Sequence, residues 1–171
     1  MPRFRHRPPA GVISRLDLPH GDAVLAGVPL ADGGWAVASR RALHLLASDE
    51  AVPEAVTPWC DVDRGSMDPA ARTLTVWWVS GTRRALTLPD DADALRFSLQ
   101  FRDRVQQSVV HAVTVTLPDG GRAQVALRRD PDGRLFTQTL GDDSVDLADP
   151  EVAAALARAE TTVREAAGLP A

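Results

Sequence analysis

The amino-acid sequence predicts an α+β fold, in which an antiparallel β-barrel or sandwich is capped by an amphipathic helix and followed by a three-stranded β-meander and a C-terminal helix. The first observation is a series of six short apolar runs between residues 23 and 89, separated by turn residues. Short strands at this spacing, separated by turn residues, are typical of antiparallel sheets. The second observation is two segments with helical periodicity, and the third is the Asp-Gly turns that separate the last three runs.

Residues 21–110 are expected to form the barrel or sandwich and its capping helix. The helix begins after Asp90, the predicted N-cap, and acidic residues occupy its first turn, where the helix dipole favours them. One apolar stripe should lie on the sheet, and it consists of Ala94, Phe97, Phe101, Val105 and Val109. The runs ahead of the helix are AVLAGVPL (23–30), WAVAS (35–39), ALHLLA (42–47), VTPWCDVD (56–63), RTLTVWWVS (72–80) and RRALTLP (83–89).

Residues 111–171 are predicted to form an extension that packs on the same domain. Alternating runs at 111–118, 122–129 and 134–140 are separated by turns that contain Asp-Gly, and such turns favour hairpins. These runs therefore predict a β-meander.

A second helix is expected from about Glu151 to Ala167. Asp149 is the predicted N-cap, Pro150 takes the first helical position, and Gly168 ends the helix. Its buried stripe should consist of Val152, Leu156, Ala159 and Val163.

Residues 1–20 are expected to form a basic arm that is at least partly disordered. The segment contains four prolines, and its four arginines against one aspartate leave it positively charged. It lacks the apolar stretch of a signal peptide, and no run in the chain approaches the roughly 18 apolar residues of a membrane span. Peripheral attachment to an anionic membrane would be possible through Arg3, Arg5 and Arg7. Stable attachment usually needs more than one membrane-binding signal of this kind.

The composition excludes several kinds of chemistry. A net charge of −4 gives the whole chain no broad attraction for nucleic acid, so none is expected as a partner. Lysine is absent, which excludes Schiff-base and P-loop lysine chemistry. Cys60 is the only cysteine, so the chain can form no internal disulfide, and we expect a cytoplasmic protein.

Trp77 and Trp78 are adjacent in a run that alternates like a β-strand, so their side chains should point to opposite faces. Leu74 and Val76 have the same parity as Trp78, and all three are apolar. The alternation therefore predicts that Trp78 faces the core and that Trp77 lies on the outer face.

Trp59 is predicted to share that outer face. Parity within its own run places Cys60 toward the core and Trp59 outside, and a hairpin turning about Asp68 would set Trp59 directly opposite Trp77. Two indole rings on an outer face need a cover. The first hypothesis is that the residues after 110 cover the two rings. The alternative is that the rings form an exposed docking patch.

The segments GGWAVASRRALHLL, TPWCDVDRGSMDPAARTLTVWW and FRDRVQQSVV, with the order of six strands and a helix, resemble pleckstrin-homology-like (PH-like) domains of bacteria. The chain is similar in particular to small uncharacterised PH-like proteins of high-GC bacteria. The resemblance covers residues 21–110 and implies a small barrel or sandwich closed at one end by the helix, with a binding or scaffolding role. Phosphoinositide-binding members carry a basic cluster in the first hairpin, which PLADGGW (29–35) lacks, so the resemblance implies no lipid-headgroup site.

No residue pattern indicates a catalytic or metal site, and no cofactor is expected. GxGxxG, GxSxG and Walker patterns are absent, and the four histidines lack metal-ligand spacing. Cys60 is expected to be an inert core thiol. An unrecognised hydrolase, the third alternative, would need Cys60 in contact with a histidine in an open cleft.

The sequence therefore predicts a non-enzymatic binding or scaffold module whose partner is another protein. The candidate binding residues are Trp59 and Trp77, together with Arg40 and Arg41, because paired arginines can bind carboxylate or phosphate through bidentate hydrogen bonds. The alternative is membrane attachment through the arginines of the N-terminal arm.

Overall fold

The computed structural model describes residues 7–48, 54–118, 120–141 and 145–170. The chain divides into two compact units, residues 1–106 and residues 107–171. The described part contains three antiparallel sheets and three α-helices, so the predicted α+β class is confirmed. Within the described residues of the first unit, the strands lie in two separate sheets and form no closed barrel.

The first sheet has four strands in sequential antiparallel order. They are β1 (Val24–Pro29), β2 (Trp35–Ser39), β3 (Ala42–Leu46) and β4 (Ala55–Pro58). Every residue of β3 is buried, which means that both faces of the strand are covered. Alternate residues such as Leu43 and Leu45 belong to the main core, whereas Leu46 belongs to a separate cluster on the other face.

The N-terminal segment, residues 8–18, covers that other face. It contains the short helix α1 (Ala10–Ile13), and Val12 and Leu16 are buried against Val37 and Leu46. Residues 8–18 are therefore ordered, because their apolar residues pack on a sheet that is apolar on both faces. That the arm as a whole is at least partly disordered stays a prediction. Residues 1–6 lie outside the described residues.

The second sheet has three strands, β5 (Val62–Asp68), β6 (Thr73–Trp78) and β7 (Arg83–Thr87), in sequential antiparallel order. The run 56–63 was predicted as one strand, but a single turn of 3₁₀ helix, Trp59–Asp61, separates β4 from β5. The chain therefore leaves the first sheet at Pro58 and enters the second at Val62, which raises the number of strands ahead of the capping helix from six to seven.

The helix α2 (Ala92–Ser108) follows β7. Asp91 Oδ1 accepts a hydrogen bond from the backbone N–H of Ala94 at 2.8 Å, so the N-cap lies one residue later than the predicted Asp90. Val109 belongs to the next strand rather than to the helix. The remaining stripe is confirmed, and one core joins both sheets to α2 through residues that include Val28, Leu43, Val62, Val76, Leu86, Ala94, Phe97, Phe101 and Val105.

The second unit contains a β-meander and the helix α3 (Pro150–Ala166), as predicted. Asp149 caps α3 by accepting hydrogen bonds from the N–H groups of Glu151 and Val152. Gly168, just beyond the helix, has a φ of 73°, which favours glycine at a helix end. The strands are β8 (Val109–Thr116), β9 (Arg122–Arg129) and β10 (Leu135–Gly141), and the buried stripe of α3 is Val152, Leu156, Ala159 and Val163 as predicted. That residues 111–171 pack on the first domain stays a prediction.

Candidate functional site

Trp59 is a core residue, and its predicted place on the outer face is wrong. Its side chain is 5% exposed, and its indole Nε1 donates a hydrogen bond to the carbonyl oxygen of Ser39 at 3.0 Å. The indole meets the ring of Phe101 edge-on, with 5.8 Å between ring centroids. The alternation failed because Trp59 lies in the 3₁₀ turn, where side chains no longer alternate between two faces of a sheet.

Trp77 lies on the face of β6 opposite to Leu74 and Val76, as the alternation predicts. Its cross-strand neighbours are Arg64 on β5 and Arg83 on β7, so the predicted pairing with Trp59 is wrong. The guanidinium carbon of Arg64 is 4.7 Å from the centroid of the half-buried Trp77 ring, a cation–π contact. Arg64 therefore provides part of the cover that an outer-face indole needs.

Trp78 packs against the main core, which confirms its predicted direction. The side chain is half-buried rather than fully enclosed, and its Nε1 donates a hydrogen bond to Thr57 Oγ1 at 3.2 Å. The polar end of the indole is thus satisfied at the edge of the core.

Arg40 and Arg41 form the turn between β2 and β3. Arg40 is exposed, and the hydroxyl of Ser39 accepts hydrogen bonds from the backbone N–H groups of Arg41 and Ala42. The structure brings this turn to Trp59, whose backbone N–H donates to the carbonyl oxygen of Arg41 at 3.4 Å. That contact anchors the turn through backbone groups. Of the predicted membrane residues, Arg3 and Arg5 lie outside the described residues and Arg7 is exposed.

A groove between β5 and α2, which we call the β5/α2 groove, was not predicted from the sequence. Its volume is about 450 Å³. The strands contribute Arg64, Gly65, Met67 and Leu74, and the helix contributes Ser98, Leu99, Phe101, Arg102, Val105 and Gln106.

The floor and walls of the β5/α2 groove are largely apolar. Leu74 and Phe101 are buried beneath it, whereas Met67 is 41% exposed and Leu99 is 45% exposed. Exposed large apolar side chains around a concave surface are typical of binding sites. The sequence carried one signal of this feature, since Leu99 lies on α2 outside the predicted buried stripe.

Two arginines stand among the apolar residues of the groove, and both are largely exposed. Arg64 Nη1 lies 2.6 Å from Asp63 Oδ2, and Arg102 Nε lies 3.9 Å from Asp103 Oδ1. Exposed pairs of this kind exchange readily with other partners, because each contributes only about 0–1 kcal/mol. The guanidinium group of Arg102 can therefore turn toward a bound carboxylate, whereas that of Arg64 is also held over the ring of Trp77.

The strand β5 lies at one edge of its sheet. In the order β5-β6-β7 it pairs with β6 on one side, and the described residues place no further strand on the other. Alternate backbone N–H and C=O groups of an edge strand point away from the sheet and offer hydrogen bonds to an additional strand. The apolar groove and the open strand edge are thus side by side.

The candidate catalytic groups are enclosed rather than placed in a cleft. Cys60 is 6% exposed, as predicted for a core thiol, and His44 is 1% exposed. Across the described ranges, no group of three or more His, Cys, Asp or Glu side chains could hold a metal ion. The helices in those ranges also include none that is long and apolar enough to cross a membrane.

No protein-family model matches the sequence, and a search of curated proteins finds no match.

Proposed function

We propose that the first unit is a PH-like binding module without enzymatic activity, and that it binds another protein through the β5/α2 groove. The observation that carries the proposal is an apolar groove of about 450 Å³ beside β5, which is an edge strand of its sheet among the described residues. The PH-like interpretation is supported by a four-stranded and a three-stranded antiparallel sheet, followed by a helix that shares their core.

An extended peptide is the occupant that suits this site. A peptide that lies along β5 would form main-chain hydrogen bonds with the edge of the strand, which is the mode of binding known as β-augmentation. Affinity in this mode comes from the backbone, and specificity comes from pockets that receive alternate side chains.

The side chains around the groove indicate the chemistry of that peptide. Gly65 and Met67 are two residues apart on β5 and therefore share one face, the face that lines the groove. An apolar peptide side chain would enter between Met67 and Leu99. A neighbouring acidic residue would pair with Arg102, since guanidinium groups bind carboxylates with strong, oriented hydrogen bonds.

The experiment is selection of peptides from a displayed random library on the purified full chain, followed by affinity measurements with an enriched peptide. Leu99→Asp places a carboxylate in the groove, and Leu95→Asp is the matched control, because Leu95 is 64% exposed on the same helix and does not line the groove.

We expect Leu99→Asp to weaken binding at least about tenfold, since burial of a leucine side chain contributes about 1.5–3 kcal/mol. Leu95→Asp should bind like the wild type. The proposal fails if no peptide is enriched, or if the enriched peptides bind Leu99→Asp as tightly as they bind Leu95→Asp.

A further inference from the structure

His44 on β3 is a buried titratable group with no part in the β5/α2 groove. It is 1% exposed and pairs in register with Val37 of β2, on the face of the first sheet that points away from the main core. Its Nε2 is 3.1 Å from Ser39 Oγ, whereas its Nδ1 is buried without a hydrogen-bond partner. A positive charge on a buried imidazole with one unpaired ring nitrogen costs more free energy than the neutral ring does.

The N-terminal segment is the cover of that face. Val12 and Leu16 pack against Val37 and Leu46, which flank His44 on neighbouring positions of the same face. Arg15 Nη2 donates a hydrogen bond to the carbonyl oxygen of Ala47, just after β3. The segment is thus held by a small apolar cluster and the hydrogen bond of Arg15, while the opposite face of the sheet retains the main core.

The charged groups near His44 do not compensate for a positive charge on its ring. Burial lowers the pKa of His44 from 6.5, and the carboxylate of Asp22 opposes this effect without cancelling it. Asp22 Oδ1 accepts a hydrogen bond from the backbone N–H of Ala23, and its Oδ2 has no partner. Among the described residues, the strands bring no charged side chain to this face, and the other charged or titratable groups on the elements packed there are Arg7, Arg15, Asp17 and His20 before β1 and Arg40 and Arg41 in the β2–β3 turn.

We propose that His44 is an acid-sensitive latch, such that protonation of its imidazole releases the N-terminal segment from the first sheet while the rest of the unit stays folded. A cation beneath an apolar cover is unfavourable, and departure of the segment allows water to reach the ring. The apolar cluster of Val12, Leu16, Val37 and Leu46 opens with it.

The direction of the pH dependence follows from the lowered pKa of the closed form. When the segment is released, His44 regains an ordinary pKa and binds a proton more readily than in the closed form. The equilibrium constant for release of the N-terminal segment should therefore be constant above about pH 7 and rise as the pH falls below 6.5. One proton can raise it by at most about tenfold per pH unit.

Hydrogen–deuterium exchange of the full chain between pH 7.5 and 5 tests this proposal, after correction for the intrinsic pH dependence of exchange. We expect the amides of the N-terminal segment to lose protection at low pH while those of β6 and α2 keep theirs. Protection of the segment that does not depend on pH would overturn the proposal, as would a loss spread equally over the whole unit.

Two variants assign the effect to His44. His44→Leu should keep the segment protected at low pH, whereas His20→Gln, at an exposed position, should behave like the wild type. Acid opening that persists in His44→Leu would overturn the proposal. If that variant does not fold, NMR titration of the wild-type imidazole decides, because a His44 pKa of 6.5 or above contradicts the latch.

Discussion

Gly65 on β5 lies directly beneath the ring of Phe101 on α2. A Cβ atom at position 65 would overlap Cε1 and Cζ of that ring, so only glycine allows strand and helix to approach this closely. Gly65 and Phe101 both line the β5/α2 groove. The packing of the core and the shape of the candidate site therefore both depend on the contact between Gly65 and Phe101.

We expect Gly65→Ala to destabilise the first unit by about 1–3 kcal/mol, because the added methyl group must displace Phe101 from a packed core. The free energy of unfolding in urea measures this cost. Ser66→Ala is the control, since Ser66 is exposed and points to the other face of β5, and it should change stability by less than about 0.5 kcal/mol. Equal stability of the two variants would contradict the contact.

Trp59 and Trp77 should respond differently to substitution. Trp59→Ser removes a buried indole, its hydrogen bond to Ser39 and its contact with Phe101, so we expect a loss of about 3–5 kcal/mol. Trp77→Ser removes a half-buried ring whose charged contact is with Arg64, and it should cost far less. Urea denaturation of both variants measures the difference, and similar losses would refute the assignment of Trp59 to the core.

Arg84 should stabilise the first unit more than its neighbour Arg83 does. Arg84 pairs with Glu54 at 2.9 Å and with Asp32 at 3.7 Å, linking β7 to the start of β4 and to the β1–β2 turn. Arg84→Ala should cost up to about 1 kcal/mol at low salt and less at high salt, since the pairs are partly exposed. Thermal unfolding measures this stability, and Arg83→Ala, at an exposed position, should not change it measurably.

Asp149 should stabilise the second unit through its capping of α3. Loss of its hydrogen bonds to the N–H groups of Glu151 and Val152 in Asp149→Ala should cost about 0.5–2 kcal/mol. Asp149→Asn retains a capping oxygen and should cost much less. Exchange protection of the α3 amides reports the effect directly, and equal protection in the two variants would contradict the capping role.

The sequence predicted those parts of the fold that local signals determine. The turns of the meander, the Asp149–Pro150 start of α3 and the apolar stripe of α2 all depend on residues close together in the chain. The 3₁₀ turn at Trp59–Asp61 has no such signal, and one extra turn was enough to reverse the predicted direction of Trp59. The β5/α2 groove was missed for another reason, since Gly65 and Phe101 meet only through tertiary packing.

Membrane attachment through Arg3, Arg5 and Arg7 makes a separate prediction. If it were the main function, the chain would sediment with anionic but not neutral liposomes, more weakly at higher salt, and deletion of residues 2–10 would abolish binding. The proposed protein-binding function leads us to expect no sedimentation with either kind of vesicle. Salt-sensitive binding to anionic vesicles that requires these arginines would favour the membrane alternative.

The most direct test of the central claim is hydrogen–deuterium exchange of the full chain with and without a saturating enriched peptide. Pairing of the peptide with the edge of β5 requires new main-chain hydrogen bonds, so we expect added protection at residues 63–68 and in the part of α2 around Leu99. Protection confined to the first sheet or to the second unit, with β5 unchanged, would contradict the claim that the β5/α2 groove is the binding site.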